Sequence, residues 1–83
     1  MNLIQMIVNK KVNNITPQEL LNFSQQYQVS LSLDQATKIT SLLRGQNINI
    51  YDDFQRGQLL NKIASVTSIQ TAHQMNAIFQ RLT

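Results

Sequence analysis

Four helix-start signals cut this 83-residue chain into five short segments, and no other feature of the sequence restricts its fold as tightly. The strongest is Thr16-Pro17-Gln18-Glu19. There the Thr16 hydroxyl can accept from the third helical amide and Glu19 can reach back to the Thr16 amide, while Pro17 takes the first helical position, where no donor is needed. Ser32-Leu33-Asp34-Gln35 repeats the pattern, Asp52-Asp53-Phe54-Gln55 gives an acidic version, and Thr67-Ser68-Ile69-Gln70 supplies a fourth.

Helical spacing of apolar residues follows each signal. The first segment, about 2–13, carries Leu3, Ile4, Ile7 and Val8 on one side and the polar stripe Asn2, Gln5, Asn9 and Asn13 on the other. A second helix over about 17–27 should bury Leu20, Leu21, Phe23 and Tyr27. The third, about 33–44, presents Ala36, Ile39, Leu42 and Leu43, with Gly45 placed for a left-handed C-cap. The fourth, about 53–66, has Phe54, Leu59, Leu60, Ile63 and Ala64 as its apolar set. Within it Gly57 either lets a neighbouring helix come close or is merely tolerated, at a cost of about 1 kcal/mol relative to Ala. The last helix uses Ile69, Ala72, Met75, Phe79 and Leu82 and meets the fourth at a tight corner.

Two connections, Val29–Leu33 and Asn47–Tyr51, alternate in polarity. An isolated two-stranded pair is marginal in water, so Val29, Leu31, Ile48 and Ile50 are expected to tuck into a helical core instead. The fold class expected is all-α: a compact bundle of about five short helices in one domain, 1–83, arranged as two helix-loop-helix units. Neither loop has the regularly spaced oxygen ligands of an EF-hand, so calcium is not expected.

Charge sharpens the functional question. Only 13% of residues are charged, against about 25% in an ordinary domain, and twelve Gln and nine Asn take their place. The net charge of +3 and pI near 9.7 come from dispersed cations, which permit polyanion binding without indicating it. There is no Cys, which removes disulfides and thiolate sites and favours a cytoplasmic setting. No apolar run approaches the roughly 20 residues of a membrane span. Lys10 and Lys11 follow the first apolar stretch rather than precede it, unlike a signal peptide, so no membrane role is expected.

Catalytic constellations are missing. The single His73 has no acid one helical turn away, and Asp52-Asp53 sits where capping groups sit. No metal-ligand spacing or glycine-rich phosphate loop occurs. The expectation is a non-enzymatic protein with no cofactor and no metal.

Two surfaces remain as binding candidates. A helix-turn-helix-like pair at about 17–44 exposes Gln35, Lys38, Ser41 and Arg44, the alternative reading being nucleic-acid contact. Gln28 stands where that turn usually has Gly, and Asp34 adds negative charge at the end meant for DNA, so a solvated face is favoured. The first helix is the stronger candidate. Met1, Leu3, Ile4, Met6, Ile7, Val8 and Val12 give it an apolar sector broader than one bundle contact needs. Either it is sandwiched in the core, or it faces a protein partner or a second copy of the chain.

Taken together, Thr16-Pro17-Gln18-Glu19-Leu20-Leu21, Gln35-Ala36 with Leu43-Arg44, Asn47-Ile48-Asn49-Ile50, Leu59-Leu60 with Ile63-Ala64, and Thr71-Ala72 with Ile78-Phe79 resemble a family of small uncharacterised proteins, a domain of unknown function, from low-GC Gram-positive bacteria such as bacilli and staphylococci. The resemblance covers most of the chain. It implies a cytoplasmic bacterial protein and brings no catalytic or binding residues with it.

Overall fold

The computed structural model describes residues 2–82, and its helices begin where the cap chemistry places them. They are α1 Leu3–Asn13, α2 Pro17–Gln26, α3 Leu33–Leu43, α4 Asp53–Val66 and α5 Ile69–Leu82, with no strand among the described residues. Thr16 and Glu19 form the full reciprocal capping box, as do Ser32 and Gln35. Asp52 accepts from the Gln55 amide at 2.9 Å, but the Gln55 side chain turns away and accepts from Asn49 N at 2.9 Å, so only half of that box forms. The fourth signal is shifted by one residue. Thr67 closes α4, its hydroxyl donating to the Ile63 carbonyl, and Ser68 opens α5 by accepting from Thr71 N at 3.0 Å.

Consecutive helices pack in pairs, α2 on α3 and α4 on α5, and α3 against α4 joins the two units. The radius of gyration of 11.6 Å agrees with the ~12 Å of a compact chain of this length. The centre holds Ala36, Ile39 and Leu43 of α3, Leu59 and Ile63 of α4, and Met75, Ile78 and Phe79 of α5, joined by Leu20 and Ile50. Ile50 is fully buried while Val29, Leu31 and Ile48 pack beside the core, so both alternating connections fold inward.

Two expectations need correction, at the first turns of α4 and α5 and in α1, and at Gly57 the structure decides between two alternatives. Phe54 and Ile69, assigned to the core by spacing, are both 71% exposed, because each lies in the first turn of its helix and projects beyond the neighbouring element. Gly57 admits no close neighbour: a Cβ there would meet nothing within 4 Å, so the glycine is tolerated rather than needed. In α1 the burial is reversed, since Asn9 and Asn13 of the supposed solvent stripe are buried with Val12.

The reversal has a hydrogen-bonding cause. Segment 47–51 is not in a sheet, so its backbone groups need other partners once Ile50 is buried. Asn13 accepts from Ile48 N at 2.7 Å and donates to the Ile48 carbonyl at 2.8 Å. Asn9 accepts from Ile50 N at 3.0 Å and donates to Asn49 Oδ1 at 2.8 Å. Side chains four apart on one helix face thus act as an amide ladder for an extended segment. Of the helix–helix contacts that hold α1, the principal one, with α3, is slight.

Candidate interaction surface

Turning Asn9 and Asn13 inward forces the other side of α1 outward. Leu3 and Ile4 are 71% exposed, Met6 55% and Ile7 59%. Of the seven residues named from the sequence as an interaction face, these four form the exposed ridge. Val8 is half-buried and packs on the core, Val12 is buried, and Met1 lies outside the described residues. The C-terminal half of the same face carries Lys10, Lys11 and Asn14, all exposed, and α1 has no acidic residue.

Beside the ridge lies an apolar cleft of about 240 Å³ between α1, α2 and the end of α5, lined by Ile7, Val8, Val12, Leu20, Phe23 and Leu82 among others. Ile7 belongs to ridge and cleft alike, Lys11 lines the cleft beside it, and a shallower hollow at Ile7, Lys10, Lys11 and Asn14 adjoins them. The cleft's walls are fixed from several directions. Tyr27 stacks obliquely on Phe23 with ring centroids 5.2 Å apart, and the Arg81 guanidinium lies 5.6 Å from the Tyr27 ring centroid. At the far end Tyr51 donates to the Leu82 carbonyl at 3.1 Å.

One ion pair ties α1 to α2 at the mouth. Lys11 Nζ bonds Glu19 Oε2 while Glu19 Oε1 accepts from the Thr16 amide at 3.1 Å. The Lys11 ammonium first, and then the Thr16 amide and hydroxyl, hold the Glu19 carboxyl at about 2, below its ordinary 4.5.

A sequence-family model for "Protein of unknown function (DUF2624)" matches residues 1–83. The chain belongs to that family. A relative in Bacillus subtilis (strain 168), "Uncharacterized protein YqfT", is 37% identical over 81 residues, spanning 98% of this chain and 96% of the relative. No solved structure matches the chain. The Gram-positive family resemblance of the five motif groups is thereby confirmed along the whole sequence.

Within this DUF2624 protein the alternative nucleic-acid residues lie along α3 and its C-cap, and three of them have local partners. Gln35 is occupied by its capping box and by Thr71 Oγ1 at 3.5 Å, Lys38 pairs with Asp34 at 3.1 Å, and Ser41 donates to the Thr37 carbonyl at 2.8 Å. Arg44 is exposed at the far end of α3. The turn between α2 and α3 does need a left-handed residue, and Gln28 supplies it with φ 58°. His73 is exposed. Among the described residues no three His, Asp or Glu side chains gather as metal ligands, and no helix is long and apolar enough to cross a membrane.

Sequence reasoning missed Asn9 and Asn13 because a polar stripe opposite an apolar one ordinarily faces water. A signal was present: the stripe is Asn at i and i+4, and the chain holds an Asn-Ile-Asn-Ile segment whose buried backbone needs donors and acceptors.

Proposed function

We propose that this protein is a small, non-enzymatic cytoplasmic interaction module that associates with a second copy of itself through the outer face of α1 and the cleft beside it. The observation that carries this reading is the outward ridge Leu3, Ile4, Met6 and Ile7, on a helix whose inward face is held by asparagines. Four large apolar side chains exposed side by side on two adjacent turns form a contiguous patch, and extended exposed apolar patches mark interaction sites. The weakly charged surface supports the same reading, since little repulsion keeps copies apart. A single helix face and one cleft fall at the small end of specific interfaces, so association belongs in the micromolar range.

The test is molar mass by light scattering across the micromolar range for the wild type and Ile4→Asp. Ile4 is exposed and lies outside the cleft lining, so the substitution spares the fold. Mass should rise above the 9.5 kDa of a single chain with concentration in the wild type and remain there in the variant. A wild-type chain that stays monomeric throughout overturns the proposal.

A further inference from the structure

We infer that the cleft beside α1 receives Phe54 of a second copy, in a head-to-tail contact. This rests on the self-association reading above and specifies which surfaces meet.

Phe54 is the only one of the five aromatic residues that is exposed, at 71%; Phe23, Tyr27, Tyr51 and Phe79 are all partly or fully buried. It stands at the start of α4 directly after Asp52 and Asp53, so it is an aromatic knob with acidic neighbours. The cleft is the opposite in both shape and charge. Its lining is aliphatic and aromatic, and its mouth is flanked by Lys10 and Lys11 on a helix without acids. A cavity of about 150 Å³ lined by such residues already accepts benzene, and this one measures about 240 Å³. A phenyl ring therefore fits with space for its methylene.

Charge selects the orientation. Lys11 is paired with Glu19 and Asp53 with Arg56 at 2.6 Å, so the strong local pairs are made within each copy. Lys10 makes no ion pair among the described residues and faces an incoming acidic knob without a competing carboxylate on its own helix. Ridge-to-ridge pairing would instead bring Lys10 and Lys11 of both copies near one another in a parallel arrangement, or set them against the partner's Leu3 and Ile4 in an antiparallel one. The other exposed apolar side chains outside α1, Leu33, Val66 and Ile69, are smaller than Phe54. Because knob and cleft are different surfaces, a head-to-tail pair keeps one knob and one cleft unoccupied after its first contact, and growth beyond a dimer follows.

The test uses two single substitutions at exposed positions, Phe54→Ser and Ile7→Asp, with helical circular dichroism confirming that both fold. Phe54→Ser keeps its cleft and Ile7→Asp keeps its knob. Each alone should stay monomeric where the wild type exceeds twice the 9.5 kDa of one chain, and an equimolar mixture should form a one-to-one complex and grow no further. If the wild type associates and Ile4→Asp abolishes it, but Phe54→Ser associates as well as the wild type or the mixture stays monomeric, the Phe54 assignment fails and self-association through α1 stands. A wild type that never associates overturns both.

Discussion

Asn13 of α1 pairs with both backbone groups of Ile48, accepting from its amide at 2.7 Å and donating to its carbonyl at 2.8 Å. A side-chain amide thus substitutes for the strand that segment 47–51 does not have, and Asn9 continues the ladder to Ile50. Truncating Asn13 leaves the half-buried Ile48 donor and acceptor unpaired. Asn13→Ala should cost about 2 kcal/mol, lowering the melting temperature by roughly 10 °C for a domain of this size. Asn13→Asp should not rescue it, because a carboxylate meets the carbonyls of Ile48 and Asn9 where an amide donated. Thermal denaturation of the two variants checks both statements, and a stability equal to wild type for either contradicts the ladder.

Gly57 carries an unneeded cost in the middle of α4. With open space where a Cβ would stand, Gly57→Ala should stabilise the protein by about 0.5–1 kcal/mol through helix propensity alone. Urea denaturation should show a higher midpoint with an unchanged slope.

Gln28 bears a left-handed backbone that favours glycine, φ 58°, and its side chain is exposed. Relief of about 1 kcal/mol of local strain, partly offset by the greater freedom of glycine in the unfolded chain, makes Gln28→Gly mildly stabilising. Asn47, at φ 51°, tolerates the same region better, so Asn47→Gly should be closer to neutral. Equal shifts in denaturation midpoint for the two substitutions would contradict this.

Glu19 links α1 to α2, and its pKa sets the sign of an acid effect. Folding lowers the carboxyl from 4.5 to about 2, so the stabilisation is complete above pH 4.5 and is lost as pH falls towards 2. Glu19→Gln should melt below the wild type at neutral pH, and the gap should narrow below pH 4.5 and close near pH 2. A gap independent of pH would contradict it.

Local rules made most of this fold legible before any coordinates. The Thr16/Glu19 and Ser32/Gln35 boxes, the left-handed backbone of Gly45 with φ 76° in the turn that follows the Arg44 cap, and the apolar sets of α3 and of the later turns of α4 and α5 follow from chemistry within a few residues. What the sequence hid depends on distant partners. The fourth cap shifted because the Thr67 hydroxyl turns back to donate to the Ile63 carbonyl of the preceding helix, and Ser68 instead accepts from the Thr71 amide. Phe54 and Ile69 obey helical spacing but fall on first turns with no neighbour to cover them. The face of α1 could not be read from α1 itself, because the need that draws Asn9 and Asn13 inward lies some 35–41 residues away, in the backbone of Ile48 and Ile50. The breadth of its apolar sector was nonetheless visible, and its exposed part is the candidate site.

Sedimentation equilibrium of the wild type beside Ile4→Asp, carried into the high micromolar range, tests the role of α1 most directly. The expected result is a wild-type mass that climbs above 9.5 kDa with concentration while the variant, equally helical, remains at the mass of one chain. A wild type that stays monomeric at every concentration, or a variant that associates equally well, would contradict it.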